Sequence, residues 1–210
     1  MYNLPYFKND DQAAVLTFMK EHPFVTLMGV DEMQKPVATQ VPVLFVEKEG
    51  QLYLRGHIMK NTDHHRAFSV NPNVMALFTG PHTYVSASWY TNPQQGSTWN
   101  YMNVQVKGEM CFLPEEDLLG VLNNLTTSFE KENSPASYNN IPEEYISRMI
   151  KAIVAFDIKI SSVEHVFKLS QNRDQQSFEN ILVKLNEGDA DAKAVAVEMN
   201  KIKKQLFSAQ

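Results

Sequence analysis

The sequence predicts an α+β fold in which short strands build a barrel or sandwich and helices gather towards the C-terminal end. Three observations predict it. Between Phe24 and Phe112 lie six short β-rich runs separated by turn signals. After Pro114 the apolar residues fall mostly at helical rather than alternating spacing. The chain has 210 residues, 43% hydrophobic and 20% charged, which is ordinary globular usage and enough for one packed domain.

The elements follow in order. Asp10 or Asp11 can cap a helix running to about Glu21, with Ala14, Leu16, Phe18 and Met19 as its apolar contacts and Pro23 as its stop. The strand candidates are Phe24 to Val30, Val37 to Val46, Leu52 to His57, Val74 to Thr79, Thr83 to Ser88 and Trp99 to Phe112. Asp31 to Lys35 and Glu47-Lys48-Glu49-Gly50 read as turns. In the second run Val37, Thr39, Val41, Val43 and Phe45 share one face, by the two-residue strand period. Lys60 to Val70 reads as a short helix ended by Asn71-Pro72-Asn73. Glu115 to Glu132 and Pro142 to Ile150 read as helices, and Ile153 to Ile160 as one more strand. Arg173 to Gln210 reads as two helices broken at Gly188, with Ile181, Leu182 and Leu185, then Val195, Val197, Met199, Ile202 and Leu206, as packing stripes.

Charge and composition exclude several classes. The net charge of −5 opposes nonspecific nucleic-acid binding, which needs Lys and Arg to neutralise phosphates. Lys201, Lys203 and Lys204 form the one basic cluster, and they read as a solvated helix face. No run approaches the roughly 18 apolar residues of a membrane span, and the first 20 residues lack a signal-peptide core. A single cysteine, Cys111, precludes an internal disulfide, so a cytoplasmic location is expected. In its apolar run Cys111 reads as an inert buried thiol. Six histidines without ligand spacing predict no metal site, and no GxGxxG or Walker loop is present.

Three segments can carry chemistry. In Leu54-Arg55-Gly56-His57, Arg55 and His57 project from one strand face, and Lys60-Asn61 follow where the strand gives way to a helix. A guanidinium fork, a point charge and helix-opening amides suit a phosphate; a polar strand end with surface charges is the other reading. Both tryptophans and three of the eight tyrosines lie between Tyr84 and Tyr101, among hydroxyls and amides. They suit a planar heteroaromatic ligand, or else an aromatic core or dimer interface. Phe167-Lys168-Leu169-Ser170-Gln171-Asn172-Arg173 is dense in donors and completes a polar site or forms an exposed loop.

Seven pieces in order resemble the PaiB family, within the FMN-binding split barrels that include pyridoxamine phosphate oxidase. They are Met1-Tyr2 with Pro5 and Phe7, His22-Pro23-Phe24, Pro36 to Pro42, Leu54 to His57, Gly80-Pro81-His82 through Ser88-Trp89-Tyr90, Thr98 to Tyr101, and Phe167 to Arg173. The resemblance implies a split β-barrel with flanking helices over residues 1–173, and a C-terminal helical extension, 174–210, packed on the same domain. It also implies a homodimer with FMN at the subunit interface. By analogy Thr39 lies near the isoalloxazine ring, while Arg55, His57, Lys60 and Asn61 serve the phosphate and ribityl end. Ser86, Trp89, Trp99, Asn100, Lys168, Ser170, Gln171 and Arg173 line the rest of the cleft, against FMN or a second ligand. The chain departs from the family after His57, where Lys60-Asn61-Thr62-Asp63-His64-His65 replaces the usual Asn-Pro-Gln-Trp-like stretch.

The resemblance implies a flavin-binding negative regulator of transcription that senses redox state or a metabolite, although no helix-turn-helix is visible. The alternative is an FMN-dependent oxidoreductase acting on a small heteroaromatic substrate, oriented by His82, Lys168 or Arg173. A third reading, heme handling, would need an axial histidine such as His165.

Overall fold

Alternation of side chains over long strands, interrupted by short capped helices, produces the architecture. The computed structural model describes residues 2, 4–9, 11–131 and 133–207. Met1, Asp10 as the alternative cap, and the helix ends expected at Glu132 and Gln210 lie outside them. The elements are α1 (Gln12–Glu21), β1 (Phe24–Val30), β2 (Pro36–Pro42), β3 (Leu44–Lys48), β4 (Gln51–Met59), α2 (Asp63–Val70), β5 (Asn73–Val85), β6 (Thr98–Phe112), α3 (Glu115–Phe129), α4 (Glu143–Met149), β7 (Ile153–Lys168), α5 (Gln175–Asn186) and α6 (Ala190–Phe207). The seven strands form one sheet in the order β2-β1-β5-β6-β7-β4-β3. The pairs β1–β2, β1–β5, β3–β4 and β4–β7 are antiparallel. The α+β expectation holds.

The chain divides into two compact units, and β5, β6 and β7 run through both. The larger comprises Met19–Phe78 and Gln105–Val163. In it β2 lies beside β4 as well as β1, so the sheet curls on itself. Gly56 of β4 permits the approach: a Cβ there would stand 2.9 Å from the Pro42 carbonyl and 2.8 Å from the Phe156 ring. On β4 Leu54, Gly56 and Ile58 are buried while Arg55 and His57 share the other, half-buried face. Helix α3 presents Leu118, Val121 and Leu125 at helical spacing to Ile153 and Ala155 of β7.

Turn chemistry sets the register in this unit. Asp31 Oδ1 accepts from the amides of Met33 and Lys35, and Gln34 takes the left-handed conformation at φ 63°. Glu49 (φ 51°) and Gly50 (φ 75°) form a two-residue hairpin loop between Lys48 and Gln51, with both φ values positive as a type I′ turn requires.

The smaller unit comprises Met1–Phe18, Thr79–Val104 and Glu164–Gln210. Asp11 caps α1 by accepting from the Ala13 amide. Asp174 caps α5 through Ser177, and Asp189 accepts from the Ala192 amide at the start of α6. Ile181, Leu182 and Leu185 are buried, as are Val195, Ala196 and Met199. The break falls at Gly188, as the sequence predicts.

Several boundaries differ from the sequence reading. Val37 to Val46 is two strands, because Pro42 lacks an amide hydrogen and the Val43 amide donates to the Pro23 carbonyl. Val74 to Thr79 and Thr83 to Ser88 are one strand; β1 pairs with β5 only over Met75–Leu77, so Pro81 interrupts no ladder on that side. The helix expected from Lys60 begins at Asp63, where Thr62 caps it by accepting from the His65 amide. Strand β7, expected to end at Ile160, continues to Lys168 through an exposed stretch. Cys111 is exposed, because strand alternation buries Met110 and turns its neighbour to solvent. Val197 is also exposed, off the buried α6 face.

Candidate functional site

The structure gathers some of the candidate residues into two clusters, one in each unit, and leaves others apart. In the larger unit Arg55 projects from β4 and Asp157 from β7, where the two residues are cross-strand partners. Arg55 Nε lies 2.7 Å from Asp157 Oδ1 and Nη2 lies 2.8 Å from Oδ2, a bidentate fork. Lys48 Nζ donates to the same Oδ2 at 2.8 Å. Two cations meet one carboxylate, so the group carries one surplus positive charge. Burial pushes the Asp157 carboxyl up, but the hydrogen bonds from Arg55 and Lys48 outweigh it and leave it below the usual carboxylate range. The hydrogen bond to Asp157 in turn raises Arg55, against the opposing effect of burial. Arg55 thus stays charged and fixed, with Nη1 uncommitted to Asp157.

His57 lies two residues along the same face. Its Nδ1 is buried without a hydrogen-bond partner, and burial holds the imidazole below its ordinary pKa. A buried nitrogen left unsatisfied costs about 1–3 kcal/mol. Such a cost marks a position where a ligand atom is missing or strain is stored.

Arg55 also lines a cavity of about 500 Å³ whose wall includes Val43, Leu44, Phe45 and Phe129. Lys20, Asn124, Thr127 and Ser128 add a second cation, an amide and two hydroxyls. The apolar wall, convergent donors and volume suit a cofactor of flavin size and chemistry. The other phosphate-end candidates do not line this cavity. Lys60 lines a separate one of about 230 Å³ and stands 3.9 Å from Glu115. Asn61 has φ 65°, and its amide donates to His65 Nδ1. Thr39 sits half-buried on edge strand β2, opposite Leu27.

In the smaller unit a cleft of about 190 Å³ is lined by Tyr2, Tyr6, Phe7, Thr98, Asn100, Lys168, Ser170, Asn172 and Arg173. Asn100 and Ser170 are buried, with the Ser170 hydroxyl 2.9 Å from Asn100 Nδ2. Ser170 holds a left-handed φ of 65° in a turn closed by the Arg173 amide donating to its carbonyl. Lys168 Nζ donates to Thr98 Oγ1. The Arg173 guanidinium lies 4.0 Å from the Tyr90 ring centroid and donates to Gln95. Gln171 braces the turn: its Oε1 accepts from the Leu169 amide and its Nε2 donates to the Phe167 carbonyl.

Ser86 accepts from the Ser88 amide and starts the short 3-10 turn that carries half-buried Trp89. Trp99 is exposed, edge-on to Tyr84 and 6.2 Å from the His82 ring, so this aromatic array is a surface and not a core. His165 Nε2 accepts from the Asn9 amide, which occupies the nitrogen that an axial ligand would need.

Asp157 has no role in the sequence reading. Its signal is a lone carboxylate inside the apolar run Ile153 to Ile160, which calls for a buried cation. Tyr2 and Tyr6 of the smaller cleft, and the α3 groups of the larger cavity, give no comparable signal. Among the described residues no group of three or more His, Cys, Asp or Glu is placed to hold a metal ion, and no helix is long and apolar enough to cross a membrane.

Comparison with known proteins bears on these clusters. Residues 1–162 match the family described as "Putative FMN-binding domain". The chain is 32% identical over 209 residues to the protease synthase and sporulation protein PAI 2 of Bacillus subtilis, covering 98% of this chain and 100% of that protein. Among solved structures it is similar to the flavocytochrome Anf3 from Azotobacter vinelandii, with a TM-score of 0.56 and 13% identity over 80% of this chain and 72% of that one. It is also similar to an FAD- and heme-binding protein from Mycobacterium smegmatis, with a TM-score of 0.54 and 16% identity over 76% of this chain and 72% of that one. The last two likenesses carry the fold alone.

Proposed function

Because the chain belongs to the PaiB family of FMN-binding split-barrel proteins, we propose that it is a negative transcriptional regulator whose input is the redox state of its flavin or a bound metabolite. FMN is the family's cofactor. When bound, it supplies hydride and single-electron redox chemistry. The observation that carries the reading is the fixed, surplus-positive Lys48–Arg55–Asp157 group beside the orphaned His57 Nδ1. A phosphate oxyanion meeting Arg55 Nη1 would use the surplus charge.

In this reading Arg55, His57, Lys60 and Asn61 hold the phosphate and ribityl end of FMN, and Thr39 lies towards the ring. Ser86, Trp89, Trp99, Asn100, Lys168, Ser170, Gln171 and Arg173 serve the remaining surface, shared between the flavin and a second ligand across a homodimer. Whole-length similarity to PAI 2, a protein named for protease synthase and sporulation, supports a PaiB-like reading over the full chain.

The test is flavin retention after FMN loading and desalting, read by absorbance. Wild type retains stoichiometric flavin. Arg55→Lys, which keeps a charge on Asp157 but loses the fork, and Lys60→Ala both retain less. Undiminished retention in both variants removes the assigned phosphate end. Steady oxidation of a reduced donor by the loaded protein, without specific retention of promoter DNA, would replace the regulator with the FMN-dependent oxidoreductase.

A further inference from the structure

We propose that the cleft between Thr98, Asn100, Lys168, Ser170 and Arg173 is a second ligand site, built for an oxyanion (a carboxylate or phosphate group) borne by a small molecule other than FMN. The proposal deepens the reading above, since it identifies the chemistry of the second ligand. Four observations carry it.

The first is charge without compensation. Lys168 and Arg173 both line the cleft, and among the described residues no carboxylate does. Among the described residues neither cation has an acidic partner within ion-pair distance, in contrast to Lys48 and Arg55 on Asp157. Burial, and then the charge of Arg173, hold the Lys168 ammonium below its ordinary pKa. A bound anion would relieve both effects.

The second is donor geometry. Lys168 spends one of its three donors on Thr98 Oγ1, and Arg173 one of its five on Gln95. Stacking on Tyr90 fixes the guanidinium plane, which favours planar recognition of a carboxylate or phosphate.

The third is a built floor. Asn100 is 0% exposed and Ser170 3% exposed, and they bond one another at the bottom of the cleft. The left-handed Ser170 is held by the Gln171 brace. A non-glycine residue in that conformation persists where the surroundings enforce it, commonly at ligand clamps.

The fourth is size. At about 190 Å³ the space is smaller than the roughly 300–1,000 Å³ of pockets that take drug-sized ligands. It admits an anionic head group and a short body, with the rings of Tyr2, Tyr6 and Phe7 along its side.

The experiment is calorimetric titration of the full chain with inorganic phosphate and, separately, acetate, with and without saturating FMN. Saturable binding of either anion to the FMN-loaded protein is expected. It should weaken about tenfold or more in Lys168→Met and in Arg173→Met, as loss of a charged hydrogen-bond partner predicts, while the melting temperature stays at the wild-type value. Absence of saturable binding of both anions to the loaded wild type overturns the proposal, as does wild-type affinity in both variants. Loss of FMN together with loss of the anion in both variants also overturns it, because the cleft's anion is then the flavin's own phosphate. Saturable anion binding to a wild type that retains no flavin would defeat the regulator reading and leave the oxyanion cleft standing.

Discussion

Two pairs of cations are held in opposite ways. Lys48 and Arg55 converge on the buried carboxylate of Asp157 in the larger unit. Lys168 and Arg173 in the smaller unit converge on a cleft with no carboxylate in its lining among the described residues. The first pair is mostly internally compensated. Its role is to hold one guanidinium in a fixed pose, and the chain depends on it for stability. The second pair is uncompensated, and its electrostatic cost is returned only when an anion arrives. The contrast shows that counting basic residues in a motif does not locate a binding site; the position of the acids does.

Removing the shared acid gives the largest effect. Asp157→Ala leaves Arg55 charged and half-buried without its acid partner, which is expected to cost up to about 3 kcal/mol, read as a fall in the urea midpoint. The pH dependence follows from the depressed carboxyl. Its folded pKa lies below 3.8, so its contribution is complete above that value and is lost as the pH falls through the folded pKa. Wild type should therefore lose stability in acid below pH 3.8 more steeply than Asp157→Asn. Equal acid slopes would mean that Asp157 is not the carboxylate that Arg55 and Lys48 stabilise.

The same contrast explains what the sequence disclosed. The alternation of Leu54, Arg55, Gly56 and His57 puts Arg55 and His57 on one face from sequence alone, because strand period is a local property. Lys168 to Arg173 stood out by donor density for the same reason. The partners were not legible. Asp157 lies 102 residues from Arg55, and nothing local distinguishes an Arg that meets a buried acid from one that does not. The two clusters' neighbours from α3 and from the N-terminal segment are also matters of tertiary packing. The strand errors have a similar origin. Pro42 and Pro81 look alike in sequence, but one ends β2 and the other lies inside β5, according to whether a neighbouring strand needed the missing amide. Cys111 was read from the company it keeps in the run, when its exposure depended on parity within the strand.

A smaller effect sharpens the role of the orphaned histidine beside the compensated pair. His57→Phe keeps a ring of similar size and removes the unsatisfied nitrogen, so it should stabilise the flavin-free chain by about 1 kcal/mol at neutral pH while weakening FMN retention. Burial lowers the folded pKa of His57 below 6.5. As the pH falls below 6.5 the unfolded chain takes up the proton first, and folded stability declines until the folded pKa is reached. His57→Phe should flatten that decline. A variant that is less stable at neutral pH would show that Nδ1 has a partner in solution and is not held open for a ligand.

The uncompensated pair supplies the smallest effect and the sharpest test of the comparison. Lys168→Met keeps an unbranched apolar stem, loses the ammonium that lies over the Phe7 ring, and removes a charge that burial and Arg173 both disfavour. Stability should change by no more than about 0.5 kcal/mol, the range for substitutions that break no essential partnership, and any change should be a gain. The alkaline limb has a definite sign. The folded ammonium titrates below 10.5, so as the pH rises towards 10.5 the folded chain releases its proton while the unfolded chain still holds one. Wild-type stability then rises relative to Lys168→Met through that window, measured as the difference in urea midpoints. A loss of several kcal/mol on substitution would place Lys168 with Lys48 and Arg55, as a cation whose acid lies within the fold, and the two regions would no longer differ in kind.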